Sequence, residues 1–183
     1  MEVKKTSFKD LMICKPSIFE DKRGYFYESY NAKVFEAKTG LSPHFIQDNQ
    51  SQSTYGVLRG LHFQIGEKAQ AKLVRVLSGK VLDVVVDLRK EEPTFGHSFS
   101  IILSAENKTQ LFIPRGFAHG FLVLSDHVTF FYKCDNYYHK ESERGLKYND
   151  PSLGIDWQLD ETALILSEKD QKLPSFETLK SQL

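Results

Sequence analysis

This chain has no excess charge of either sign: 24 Lys and Arg balance 24 Asp and Glu, for a formal net charge of +0. That balance removes the electrostatic footprint expected of a protein that binds duplex nucleic acid or an anionic membrane. Cysteine is scarce. Cys14 and Cys134 stand far apart and match no metal-ligand spacing, so they read as free thiols in a reducing compartment. No apolar run approaches the ~20 residues of a membrane-spanning helix. The N-terminal "MEVKKTSFKDL" has early lysines without the apolar stretch of a secretion signal. The expectation is a cytoplasmic protein that binds neither nucleic acid nor membrane.

What remains is ordinary globular material, with 40% apolar and 26% charged residues in a chain of 183. No repeat, low-complexity tract or Pro/Gly-rich linker divides it, so residues 1–183 are expected to form a single domain. The dominant signal is β-strand. "KLVRVLSGKVLDVVVDLR" contains two β-branched runs around Ser78-Gly79, which reads as a hairpin turn. Further strand candidates are "LMICKPSIF", "GYFYESY", "HFIQDNQS", "GVLRGLHF", "HSFSIILS", "QLFIP", "GFLVL" and "VTFFYKC". Helix signals are few: Asn31 can cap "AKVFEAKT" with Gly40 as its stop, and a second helix is expected near "SFETLKSQL". Many short strands with sparse helix indicate an all-β sandwich or barrel, with a jelly roll preferred and a few short helices at its periphery.

Polar residues inside apolar runs mark where chemistry could sit. In "VLRGLHFQ", period-two alternation puts Leu58, Gly60, His62 and Gln64 on one face and Val57, Arg59, Leu61 and Phe63 on the other, unless Gly60 marks a bulge. In "IPRGFAHGFLVL", Pro114, Gly116 and Gly120 shape a turn into a strand, with His119 expected just before the strand begins. The pattern Pro-x-Gly-x-x-His resembles the second half of a cupin metal site. The matching first half is missing, because "GLHFQIGEKAQ" offers one histidine where a His-x-His pair and a glutamate would be needed. Tyr132, Tyr137 and Tyr138 crowd into "FFYKCDNYYHKESERG", where they could pack, donate a proton or stack on a planar ring. Lys169 and Asp170 lie in a charged stretch that alone reads as a solvated loop. His44, His97, His127 and His139 fall near turns or strand ends, where exposure is expected.

Taken together and in order, ten segments carry a resemblance over about Arg23 to Asp170. They are "DKRGYFYESYN", "FIQDNQS", "GVLRGLHFQ", "KLVRVLSGKVLDVVVDLR", "PTFG", "SAENK", "IPRGFAHGFLVLSD", "YKCDNYYHKESERG", "NDPSLGIDW" and "LSEKDQ". The chain resembles the dTDP-4-dehydrorhamnose 3,5-epimerases, a branch of the cupins that works without a metal. The resemblance implies a cupin-type jelly-roll β-barrel and a dTDP-linked 4-keto-6-deoxyhexose substrate inverted at C3 and C5. It also implies that no metal, flavin or nicotinamide cofactor takes part. A proton beside a ketone is weakly acidic, so such an enzyme must supply a base, stabilise an enolate and return a proton from the opposite face.

The same resemblance implies roles for individual residues. His62 would be the general base and Asp170 the carboxylate that orients it; Lys72 would stabilise the enolate and Tyr132 would be the acid. Arg23 and Arg59 match the family's diphosphate ligands, Glu28, Gln47 and Asn49 its polar nucleotide contacts, and Tyr138 the ring that stacks on thymine. His119, Glu143 and Lys169 match further substrate contacts. A homodimer is implied, with "RGYFYE" reaching the neighbouring subunit's site. The chain departs from the family at Gln50, Ala71 and Arg115, none of which removes a group the chemistry needs.

Overall fold

The computed structural model describes residues 1–181 and 183. Strands are numbered along the chain. One antiparallel sheet contains β1 (Glu2–Lys5), β2 (Met12–Lys15), β5 (Gln47–Thr54), β7 (Lys72–Ser78), β10 (Gln110–Ile113) and β12 (His127–Cys134), in the order β1-β2-β10-β7-β12-β5. A second contains β6 (Leu58–Gln64), β8 (Lys80–Asp87), β9 (Ser98–Ser104), β11 (Phe117–Val123) and β13 (Glu143–Gly145), in the order β13-β6-β11-β8-β9. A small hairpin, β3 (Phe19–Asp21) and β4 (Gly24–Phe26), stands outside both. The helices are α1 (Ala32–Thr39), α2 (Glu168–Gln171) and α3 (Phe176–Lys180). The jelly-roll expectation holds.

Alternation decides which side chains fill which layer. Between the sheets lie Val74 and Val76 of β7, Val81 and Val85 of β8, Phe121 and Val123 of β11, and Val128 and Phe130 of β12. The outward residues of β8, Leu82, Val84 and Val86, meet a second apolar layer formed with Leu153, Trp157 and Leu179 of the C-terminal segment. β8 is therefore covered on both faces, which explains why "VLDVVV" reads as a continuous apolar run and not an alternating one. Burying each such side chain contributes roughly 1.5–3 kcal/mol. On the first sheet, α1 lays Phe35 against Phe112, with ring centroids 5.1 Å apart. Its ends are those expected: the Asn31 side chain accepts from the Val34 N–H, and Gly40 closes the helix at φ 74°.

Ser78-Gly79 is not a hairpin turn. β7 pairs with β10 and β12, whereas β8 pairs with β9 and β11, so this turn carries the chain from one sheet to the other. Gly79 is required there: at φ +81° a Cβ would meet the His127 carbonyl oxygen at 2.0 Å. Local strand signals cannot distinguish a hairpin from a crossing of this kind. Among the described residues, no helix is long and apolar enough to cross a membrane.

Candidate active site

The cavity begins with an irregularity in β6. His62 pairs with His119 and Arg59 pairs with Phe121, so Gly60 and Leu61 together oppose the single residue Gly120. This is a β-bulge, and it reverses the alternation along the strand. Leu58, Leu61 and Phe63 all enter the outer apolar layer, while Arg59 and His62 both line the cavity. The strict alternation expected from sequence, which put Arg59 and His62 on opposite faces, is thereby corrected. Glycine is needed on both strands. A Cβ on Gly60, at φ +111°, would lie 2.7 Å from the Gly120 Cα, and one on Gly120 would lie 2.6 Å from the Arg59 carbonyl oxygen.

The bulge has a second consequence. The Gly60 N–H points at Asp170 Oδ2, 3.4 Å away. Asp170 arrives from the C-terminal segment, which is tied to β6 by Ile165: its N–H donates to the Gly56 carbonyl at 2.8 Å and its carbonyl accepts from Leu58 at 3.0 Å. The segment turns into α2, whose N-cap Ser167 accepts from the Asp170 N–H at 3.1 Å. The Asp170 carboxylate is thus brought to 2.6 Å from His62 Nε2. The charged stretch is solvated at Glu168 and Lys169 but not at Asp170, which is buried. Burial alone would push the Asp170 carboxyl up, but bonds from His62, Gly60 and Ser167 outweigh it and hold the carboxyl below the usual range. The His62 nitrogen left unengaged by Asp170 is Nδ1.

The opposite wall comes from the first sheet. Lys72 of β7 pairs with Cys134, and Tyr132 of β12 pairs with Val74 and Asn49. The Lys72 ammonium lies 5.9 Å from the centroid of the Tyr132 ring. Burial lowers the Lys72 pKa, against the pull of Cys134, Asp83 and Glu143. Burial raises that of Tyr132, which stays a neutral phenol. Both cysteines are buried free thiols.

Below these groups sits a pair that sequence reasoning half missed. His119 lies within β11, not ahead of it, because Phe117, His119, Phe121 and Val123 alternate inwards from Phe117 onwards. Its Nε2 is 2.9 Å from Asp83 Oδ2. Asp83 is fully buried, and its Oδ1 has no hydrogen-bond partner among the described residues. Burial raises its pKa, with His119 and Lys72 pulling the other way. The signal was present in the sequence: one aspartate inside "VLDVVV" is a charge where burial is costly.

These walls enclose a cavity of about 510 Å³ lined by Arg59, His62, Lys72, His119, Tyr132, Lys169 and Asp170. An adjoining one of about 430 Å³ shares His62, Lys72 and Tyr132 and adds Gln47, Asn49, Gln64, Tyr138 and Glu143. Both fall in the range of small-molecule sites. Glu143 Oε2 accepts from Lys169 Nζ at 2.6 Å and from the Tyr138 hydroxyl at 3.0 Å. Those bonds overcome the upward push of burial and lower the Glu143 pKa. Gln47 is already engaged, accepting from the Tyr138 N–H at 3.0 Å and donating to Asn49 Oδ1 at 3.1 Å. Arg59 is held by Ser53 Oγ at 3.0 Å and the Gln52 carbonyl at 3.3 Å.

Two expected residues are not brought here. Arg23 pairs with Asp21 on the exposed β3–β4 hairpin and lines a separate surface cleft, and Glu28 accepts from Asn31 at 3.1 Å. Of the other histidines, His44, His97 and His127 are exposed as expected. His139 is half-buried because its loop folds inwards and its Nδ1 lies 2.9 Å from Ser142 Oγ. Among the described residues, no group of three or more His, Cys, Asp or Glu side chains is placed to hold a metal ion.

A cupin-type barrel with an oriented histidine on one sheet and a neutral phenol beside a cation on the other is built for proton transfer. The sequence model of the dTDP-4-dehydrorhamnose 3,5-epimerases matches residues 5–178. A dTDP-4-dehydrorhamnose 3,5-epimerase from Shigella flexneri is 53% identical over 170 residues, covering 93% of each chain. The crystal structure of one from Elizabethkingia anophelis NUHP1 is 59% identical, with a TM-score of 0.94 over 97% of each chain. A Legionella pneumophila dTDP-6-deoxy-D-glucose-3,5-epimerase, solved with dTDP-4-keto-L-rhamnose, is 49% identical with a TM-score of 0.94, covering 99% of this chain and 95% of its own. The chain belongs to the dTDP-4-dehydrorhamnose 3,5-epimerase family and is an isomerase.

Proposed function

We propose that this chain inverts C3 and C5 of a dTDP-linked 4-keto-6-deoxyhexose, converting dTDP-4-dehydro-6-deoxy-D-glucose to dTDP-4-dehydro-L-rhamnose. The observation that carries the reading is the placement of His62 and Tyr132 on opposite sheets across one cavity. His62 Nδ1 takes the proton from the carbon beside the ketone, and the ionised Asp170 stabilises the resulting imidazolium. Charge moves onto the ketone oxygen, where the Lys72 ammonium favours the enolate. The Tyr132 hydroxyl returns a proton from the other face, which inverts the centre. His119, Glu143 and Lys169 contact the sugar end, Arg59 the diphosphate, Asn49 and Gln47 the nucleoside, and Tyr138 stacks on thymine. This chemistry calls for no metal, flavin or nicotinamide.

The test is deuterium exchange at the substrate, followed by NMR in deuterated buffer. Wild type is expected to label both C3 and C5, His62→Ala neither, and Tyr132→Phe to exchange without inverting. Labelling at one carbon would reassign the chain to single epimerisation, and labelling at neither would remove the catalytic reading.

The working unit is a homodimer, with Arg23 and Glu28 supplied to each cavity by the partner subunit. Support comes from the β3–β4 hairpin, which exposes Phe19, Tyr25 and Phe26 by 65%, 58% and 68%, with Phe19 and Phe26 paired directly across its two strands. Mixing Arg23→Ala and His62→Ala chains should restore activity, because one mixed site carries neither defect; mixtures no more active than their parts would overturn it. We read residues 1–183 as one domain. Its buried free thiols suit the cytoplasm.

A further inference from the structure

Gln64 follows His62 by two residues on β6 and is buried, with 6% of its surface exposed. An amide placed so deeply must find partners for its donors and acceptor. Its Nε2 donates to the Lys68 carbonyl at 2.6 Å and to the Tyr137 carbonyl at 3.1 Å, and its Oε1 accepts from the His139 N–H at 2.7 Å. Two of those three groups flank Tyr138 directly. The Tyr138 N–H is taken by Gln47, so residues 137, 138 and 139 each give one backbone group to a strand glutamine. Tyr138 is itself 56% exposed. Apart from its hydroxyl bond to Glu143, the backbone hold sets its position.

We propose that Gln64 is a positioning residue for the nucleoside end of the site, acting through Tyr138. A β-strand advances ~6.6 Å over two residues, so β6 fixes how far Gln64, and the tyrosine loop bonded to it, stand from His62. The Lys68 bond ties the loop before Lys72 to the same amide. Loss of Gln64 leaves the chemical groups in place, because His62, Lys72 and Tyr132 are held by their own ladders. It releases the ring that receives the nucleoside. The proposal rests on the reading that thymine stacks on Tyr138.

The experiment is a double-mutant cycle on dTDP affinity, measured by calorimetry, with steady-state kinetics alongside. Gln64→Met fills the same space without hydrogen bonds and is expected to weaken dTDP about tenfold, to raise KM in step, and to change kcat by less than about threefold. In a Tyr138→Ala background, Gln64→Met should cost almost nothing further. A full tenfold loss in that background, or a fall in kcat at unchanged affinity, overturns the proposal. A buried residue that merely supports the fold would show neither the non-additivity nor the KM-against-kcat split. If Gln64→Met does not fold, Gln64→Glu carries the same test: it keeps an acceptor for His139 and loses both donors. Should Tyr138→Ala alone leave dTDP affinity unchanged, the stacking reading fails and this proposal with it, while the His62 exchange test stands untouched.

Discussion

Two histidine–aspartate pairs share one cavity, and they are opposite in character. His62 is 30% exposed in its side chain and Asp170 5%; the corresponding figures for His119 and Asp83 are 9% and 0%. Asp170 is bonded through both oxygens, to His62 and to Gly60, and its carboxyl is pulled below the ordinary range. Asp83 has one oxygen on His119 and the other without a partner among the described residues, and burial pushes its carboxyl up. The two imidazoles sit on residues paired directly across β6 and β11. Two imidazolium ions so placed would repel. Behind His62 stands a firmly ionised carboxylate, and behind His119 one that resists ionisation. The same two residue types therefore give one pair whose carboxylate can balance a charge on its partner and one whose carboxylate is poorly placed to do so.

The largest effect expected from breaking this comparison is at His62. His62→Ala should lower exchange at C3 and C5 about a thousandfold, read as deuterium incorporation by NMR. His119→Ala should retain exchange at saturating substrate and lose mainly affinity. If the two variants lose exchange equally, the division of roles is wrong. Next comes Asp170→Asn, which keeps the shape but removes the charge that stabilises the imidazolium. Its kcat should fall about a hundredfold, against a much smaller fall for Asp83→Asn.

How much of this was legible in advance divides along the same line. The β-strands, the Asn31 and Gly40 ends of α1, and His62, Lys72, Tyr132 and His119 could be read from local pattern or from the resemblance. The β6 bulge could not be fixed, because it depends on Gly120 of another strand meeting Gly60. The crossing at Ser78-Gly79 is a matter of which strands pair, and no local signal reports that. Asp83 was missed, although an aspartate inside an apolar run is anomalous, and its partner shows only once β8 and β11 lie side by side. Asp170 lies in a stretch that reads locally as a solvated loop, and only the resemblance marked it; it becomes a buried carboxylate through Ile165 and Ser167, which aim the segment back at β6.

Stability against pH separates the two carboxylates by sign. The lowered Asp170 carboxyl contributes stability that is present above its unfolded value of ~3.9 and is lost as pH falls through the folded value. Asp170→Asn should therefore cost stability at neutral pH, with the difference from wild type closing below about pH 4. For the raised Asp83 carboxyl, stability is fully present below ~3.9 and is lost as pH rises towards the folded value. Asp83→Asn should therefore stabilise at neutral pH, by about 1 kcal/mol, and the gain should vanish in acid. Melting temperatures followed from pH 7 down to about pH 3 decide it; curves moving in the same direction for both variants would refute the contrast.

The smallest effect concerns how Asp170 is held. Ser167 Oγ accepts from the Asp170 N–H and caps a helix of 4 residues, too short to be stable without its cap and its tertiary contacts. Losing an N-cap costs ~1 kcal/mol, but here the cost falls on the placement of one carboxylate. The Ile165 bonds to Gly56 and Leu58 still tie the segment to β6, so Ser167→Ala should leave the melting temperature nearly unchanged. It should lower kcat only a few-fold, because Asp170 then spends part of its time away from His62. Ser167→Asp, which restores an N-cap acceptor, should recover most of that loss. A Ser167→Ala enzyme with wild-type kcat would mean that His62 and Gly60 alone are enough to hold the carboxylate. The charge at Asp170, and not its delivery by α2, would then be what distinguishes this pair from the one buried at Asp83.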